Sequence, residues 1–494
     1  MLKKHFKLSV LALSSLGLIG CSSLPGKNSY SYADPDLVVP AQVLHSDSDS
    51  TPVIAVDQIP MSKVDLHFDS NTYGNMRRAI TLNKEVIPAA HFADWLNYFN
   101  YDFRSNNTTY PFTLITEMAP SPWNDNTYLM LVGVKAEQLT ATEAVNNIVL
   151  LVDTGTGMKN AAGLELVKET LTAYLPNLSA KDRVSIITYS DTPKVLVNAV
   201  SGQNQKALAK AIDNLSLSKQ SDKQPTQASI NLAYEVLAQN RLNGNNEILF
   251  LTDGNLNMTK EVAQSMTNTL KQGNRQDLHF STLVFNSTNY NYQAMGDIAK
   301  LGGGKYAYID TINEGLFTFR DLFAGPALGT DASFEIEFNS RYVDAYQLLG
   351  YTQNRAQMQP SFNRSAATIK PGQNYVALYR VSLSATERNA IKNHNNDIAV
   401  VSFKYKDHRD GYPRSLDRSL LPKELKSHFN QASDAFKFAS AVASFGLKMQ
   451  NDPVMSSVSS NEILSIAKSG VNANSDGSKQ EFVALVEQQT RQSR

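Results

Sequence analysis

Ile148-Val149-Leu150-Leu151-Val152-Asp153-Thr154-Gly155-Thr156-Gly157-Met158 is the stretch on which the fold turns. Its first five side chains are all apolar. A strand exposed on one face alternates apolar and polar residues, whereas an unbroken apolar run belongs to a parallel strand covered on both faces. The run ends at Asp153, and the glycines at 155 and 157 suit a tight loop with unusual backbone angles. Downstream, strand-like runs at 184–189, 195–200, 247–251, 278–285 and 306–309 alternate with helical patterns at 164–175, 205–215, 229–238, 261–271 and 294–301. This alternation predicts a Rossmann-like, doubly wound α/β unit over 145–324, with a mostly parallel sheet and ligand chemistry at the C-terminal strand ends.

On either side the pattern changes. Residues 112–115 and 128–134 read as strands, and two-residue alternation returns at 334–338, 346–349, 375–381 and 398–405. Neither group has enough strands to cover two sheet faces alone, and unpaired edges are a liability. The expectation is one β-sandwich, 325–410 pairing with 110–135, into which the α/β unit is inserted. The remaining segments are a mixed N-terminal module at 61–140 and a helical region at 420–494. In the N-terminal module, apolar Phe92, Trp95, Leu96 and Phe99 recur at helical spacing. The cluster Trp95, Tyr98, Phe99, Tyr101, Phe103 is expected to be core.

Composition narrows the function. The chain has 494 residues, is 42% hydrophobic and 19% charged, and is formally neutral with 46 basic and 46 acidic residues. A chain of this size divides into several domains, and its neutrality offers no electrostatic case for nucleic acid. Cys21 is the only cysteine, which excludes internal disulfides and multi-cysteine zinc sites. Residues 1–20 carry Lys3, Lys4 and Lys7 ahead of an apolar run from 8 to 19, too short to span a bilayer comfortably. The run closes in Leu18-Ile19-Gly20-Cys21-Ser22-Ser23, which resembles the lipobox of bacterial lipoproteins. That resemblance implies a signal peptide, a lipid anchor on Cys21 and, with Ser at 22, the outer membrane of a Gram-negative envelope. An ordinary signal peptide with an incidental cysteine is the alternative. Residues 21–60, with the run Ser46-Asp47-Ser48-Asp49-Ser50, are read as a tether, and part of it, around 37–39 and 53–56, as a docked strand.

Three pieces of the α/β segment carry a family resemblance: the opening stretch, Asp182-Arg183-Val184-Ser185-Ile186-Ile187-Thr188-Tyr189, and Ile248-Leu249-Phe250-Leu251-Thr252-Asp253-Gly254. In order and spacing they resemble a von Willebrand factor A (vWA) domain. The flanks, including Phe68 to Tyr73, Arg77-Arg78, the 95–101 segment and Gln347-Leu348-Leu349-Gly350-Tyr351, are similar to the YfbK-type vWA proteins of bacteria. The vWA resemblance implies a metal-ion-dependent adhesion site for Mg²⁺ or Mn²⁺, built as Asp-x-Ser-x-Ser with a distant Thr and a distant Asp. Carried over residue by residue, its members fall on Asp153, Gly155, Gly157, Thr226 and Asp253. Two hydroxyl ligands are missing, and a hard ion wants about six oxygens. The site is therefore expected to be degenerate, with metal weakly bound or absent. Either it is a weak metal site, or Asp153, Thr226 and Asp253 cap loops and bind water or backbone amides.

No Gly-x-Ser-x-Gly, His-Glu-x-x-His or phosphate-binding Gly-rich motif occurs in the chain. The function implied by the resemblance is protein–protein interaction or adhesion at the cell envelope. A metal-independent scaffold and a metal-dependent enzyme are the competing classes.

Overall fold

The computed structural model describes residues 29–31, 52–66, 70–82, 92–103, 110–123, 126–138, 145–189, 192–218, 226–287, 290–325, 327–351, 368–386, 395–472, 475 and 477–492. The signal-like segment 1–20 and Cys21 lie outside the described residues. No helix among the described residues is long and apolar enough to cross a membrane.

The α/β unit holds a six-stranded sheet in the order Gly303–Ile309, His279–Phe285, Asn245–Thr252, Asn146–Asp153, Arg183–Tyr189, Lys194–Ser201. The pairings are parallel except at the last edge, where Lys194–Ser201 runs antiparallel. The central strand is buried along its whole length. Ile148, Leu150 and Val152 enter one core, with Leu164, Leu171, Leu208 and Phe319 of the covering helices. Val149 and Leu151 enter the opposite core, with Ile230, Ala233, Met266 and Met295. Covering on both faces is the physical reason the strand shows no polar alternation.

The frame around this unit is a β-sandwich. One sheet orders Pro413–Leu420, Ala399–Asp407, Gly329–Phe338 and Met61–Asp65; the other orders Ile54–Ala55, Val343–Leu348, Asn374–Leu383, Tyr128–Ala136 and Phe112–Pro120. Strand Tyr128–Ala136 pairs with Asn374–Leu383 through eight register positions, so the α/β unit is inserted in the sandwich as expected. Within the expected tether, Ile54–Ala55 pairs with Ala345 and Tyr346, and Ser29–Ser31 pairs with Asn257–Thr259.

The five-stranded sheet is also covered twice. Met130, Val132, Val134, Tyr379 and Val381 face the partner sheet. Leu129, Leu131, Val376 and Leu378 face the helices, where they meet Trp95, Phe99, Phe436, Val442, Phe445 and Phe482. The C-terminal helices Asp434–Met449, Ser460–Ser469 and Gly477–Gln492 thus close a third layer with the N-terminal helices Ser70–Thr81 and Ala93–Tyr98. The 95–103 aromatic cluster is core: Trp95, Tyr98, Phe99 and Tyr101 are buried, and Phe103 packs against them.

Candidate functional site

The chain leaves the central strand toward opposite sides of the sheet, toward 183–189 in one direction and 245–252 in the other. Such a reversal opens a crevice at the C-terminal strand ends. Asp153 ends one of the two central strands, and Thr252 ends its neighbour just before Asp253. Both aspartates are buried, at 1% and 6% relative exposure.

Asp253 is engaged by its own loop, and Asp153 by its own loop and by the end of the neighbouring strand. Asp153 Oδ1 accepts the Gly155 N–H at 2.8 Å, and Oδ2 accepts the Thr252 hydroxyl at 3.0 Å. The Thr252 oxygen in turn accepts the Gly254 N–H at 3.1 Å. Asp253 accepts the backbone N–H of Asn255 at 2.9 Å and its side-chain amide at 3.1 Å. Burial pushes the Asp153 carboxyl up to about 7, and the nearby Asp253 charge adds to the rise, against the two hydrogen bonds that favour the ionised form. Burial raises Asp253 as well, opposed by its bonds to Asn255.

Two glycines fix the shape. Gly254 sits at φ +79°, where a side chain is strained, and a Cβ there would lie 2.8 Å from the Tyr290 Cβ. Gly157 is tighter: a Cβ would fall 1.9 Å from Asp253 Oδ2. The Asp253 carboxylate therefore occupies the space that a hydroxyl-bearing residue at 157 would need. Thr154 does not substitute, because its hydroxyl bonds the Tyr189 carbonyl at 3.4 Å. Thr156 is exposed at the start of the 3-10 helix Thr156–Ala162. Thr226 is the first residue of the helix Thr226–Gln239, and its side chain lies outside the described residues.

The four carboxylate oxygens already accept hydrogen bonds, the loop offers no hydroxyl at 155 or 157, and no cluster of three or more His, Cys, Asp or Glu suited to a metal occurs among the described residues. The sequence marked Asp153 and Asp253. It did not single out Thr252, whose hydroxyl holds Asp153, although Thr252 stands in the same Thr-Asp-Gly signature. Nor did it mark Asn255 or Tyr290, which carry no recognisable motif.

Comparison with known proteins accords with this architecture. The family profile described as the von Willebrand factor type A domain matches residues 147–319, and the one described as the C-terminal part of the uncharacterized protein YfbK matches 327–491. A further von Willebrand factor profile matches 41–131. The Escherichia coli K12 protein YfbK is 25% identical over 476 residues, which are 91% of this chain and 81% of the relative.

The chain belongs to the YfbK-type vWA proteins.

An uncharacterized Synechocystis protein is 27% identical over 177 residues, 36% of this chain and 40% of that protein. Among solved structures, a von Willebrand factor type A protein from Catenulispora acidiphila is 12% identical, covers 78% of this chain and 91% of its own, and gives a TM-score of 0.34. In this member of the YfbK-type proteins, the Asp253 carboxylate packs over Gly157 at the C-terminal strand ends of the sheet.

Proposed function

We propose that this chain is a non-enzymatic binding module of the bacterial envelope, anchored through Cys21 and engaging a protein partner without a resident metal. The observation that carries the metal-independent reading is the Asp253 carboxylate lying where a Cβ on Gly157 would fall. With that space taken and both hydroxyl ligands replaced by glycine, a partner's carboxylate has no exposed ion to complete. Recognition then rests on shape and hydrogen bonding at the vWA surface. A non-catalytic role fits a site whose two acids are tied to backbone amides, the Thr252 hydroxyl and the Asn255 amide, with no histidine base among the groups that hold them.

The experiment is capture of partners by the native lipoprotein with Mg²⁺, with Mn²⁺ and with chelator. Equal recovery in all three is the expected result. Recovery lost in chelator and restored by Mg²⁺ overturns metal independence and returns the site to the adhesion class. For the anchor, Cys21→Ala is expected to move the protein from the membrane to the soluble fraction, and a variant that still sediments with membranes refutes lipid anchoring.

A further inference from the structure

The paired arginines Arg77 and Arg78 of the N-terminal helix both point into the vWA domain. Arg77 is 3% exposed and faces three carboxylates from two other segments. It pairs with Asp310, which follows the last vWA strand, through Nη2 and, at 3.4 Å, Nε. It reaches Glu314, in the last vWA helix Ile312–Phe323, at 3.2 Å. It reaches Glu481, in the C-terminal helix, at 3.1 Å. Tyr98 donates to Glu314 at 2.7 Å, and Tyr73 stacks on Tyr98 with ring centroids 4.0 Å apart. The Tyr73 hydroxyl is buried with no hydrogen-bond partner among the described residues.

We propose that this cluster is a proton-linked latch, holding the vWA domain against the N- and C-terminal helices while it carries one extra proton and loosening that contact when the proton leaves.

The apolar cores leave this job to polar contacts. The two vWA cores draw their residues from 148–323, and the two frame cores draw theirs from outside it, apart from half-buried Phe317, which stacks on Tyr98 at 5.0 Å. Elsewhere the domain is held by Lys370, whose Nζ donates to the Asp321 and Leu322 carbonyls at 2.9 and 3.3 Å, and by Gln373 on the Asp321 carboxylate. Interfaces of this polar kind permit relative domain motion.

Charge supplies the proton linkage. The groups facing Arg77 are Tyr73 on its own helix, Tyr98, Asp310, Glu314 with neighbouring Asn313, and Glu481; the next cation, Arg78, lies over the Tyr308 ring at 5.2 Å. One guanidinium thus meets one buried carboxylate, Glu314, and two partly buried ones, Asp310 and Glu481, and an uncompensated buried charge is costly. Burial pushes Glu314 up to about 7 and raises Glu481. Undocking exposes them and returns them to ordinary carboxyl values near ~4.3. The docked state therefore binds the proton more tightly. Docking is strongest below the exposed value and weakens as pH rises through about 7.

The latch also touches the candidate site. Arg78 lies over Tyr308, Tyr308 stacks on Tyr290 at 5.4 Å, and Tyr290 packs against Gly254, beside Asp253.

The test is hydroxyl-radical footprinting of the full chain at pH 6 and pH 8.5, reading Tyr98 and Phe317 at the junction. Trp95 and Phe250, in the frame and vWA cores, serve as internal controls for unfolding. Oxidation of Tyr98 and Phe317 is expected to rise about tenfold at the higher pH while the controls stay constant. Glu314→Gln, which keeps a hydrogen-bonding side chain there, is expected to stay protected at both pH values. Asp153→Asn is expected to behave as wild type. Wild-type oxidation that does not change with pH overturns the proposal. So does a Glu314→Gln variant with the wild-type rise, or an Asp153→Asn variant that abolishes it.

Discussion

Asp153 is pulled in two directions. Its hydrogen bonds from Gly155 and Thr252 favour the anion, while burial and the Asp253 charge favour the acid and win, at about 7. The folded pKa lies above the unfolded one, so this group contributes stability that is full below the unfolded value and is lost as pH rises through about 7. Asp153→Asn is therefore expected to stabilise the protein by about 1–3 kcal/mol at pH 8 and to have little effect near pH 4. Urea denaturation at the two pH values measures this; destabilisation at pH 8 would show that the anion is paired after all. Gly157→Ala tests the steric reading of the same site. The added Cβ must drive Asp253 off its Asn255 contacts, at about 1–3 kcal/mol. In a double-mutant cycle, Asp253→Ala should relieve most of that loss, since the two positions then no longer collide. Additive losses would show that the two do not touch. The two acids were legible because their places in the strand-end motifs are. What fills the space beside Gly157 was not, since a glycine records a missing side chain and not its replacement.

Elements differed in legibility according to how much apolar surface they bury. The helix Asp434–Met449 declares itself by Phe438, Val442 and Phe445 at helical spacing, and all three are buried. Strand Met61–Asp65 gave little signal, because the two residues it buries are Ser62 and Val64. Strand Pro413–Leu420 gave none: it is exposed along nearly its whole length, and its pairing with Ala399–Asp407 puts it in the sheet. Such a charged edge suits the outer rim of a sandwich. The long C-terminal helix also makes a close approach, because a Cβ on Gly446 would sit 2.4 Å from the Phe92 ring. Gly446→Ala gains about 1 kcal/mol of helix propensity, yet overpacking is expected to outweigh it and leave a net loss of about 1–2 kcal/mol. Chemical denaturation decides, and a stabilised variant would show that Phe92 has room to move.

At the scale of the molecule, the insertion follows from strand arithmetic, which the sequence displays. The Arg77 junction does not, because nothing in Arg77-Arg78 says which carboxylates, on segments more than 200 positions away, it will meet. Glu137 and Gly372 share a backbone hydrogen bond, and Leu328 bonds Ile369 in the same loop, so the two exits to the vWA domain lie side by side. Replacing residues 139–327 with a short Gly/Ser linker is therefore expected to leave a folded frame with a single cooperative calorimetric transition. A molten frame lacking near-ultraviolet dichroism would show that the inserted domain is needed to hold it together. The same topology sets an order of events as the chain is made. Asn97 bonds the backbone of Val376, 279 positions later, on the strand that also completes the hairpin of 112–136. At about 5–20 residues per second, that partner leaves the ribosome roughly 14–56 s afterwards. The vWA domain emerges whole in that interval and has time to fold, while the hairpin waits with two apolar faces uncovered. The nascent chain must therefore be shielded until its frame can close, and a ribosome that stalls before residue 374 leaves a finished vWA domain tied to an aggregation-prone hairpin.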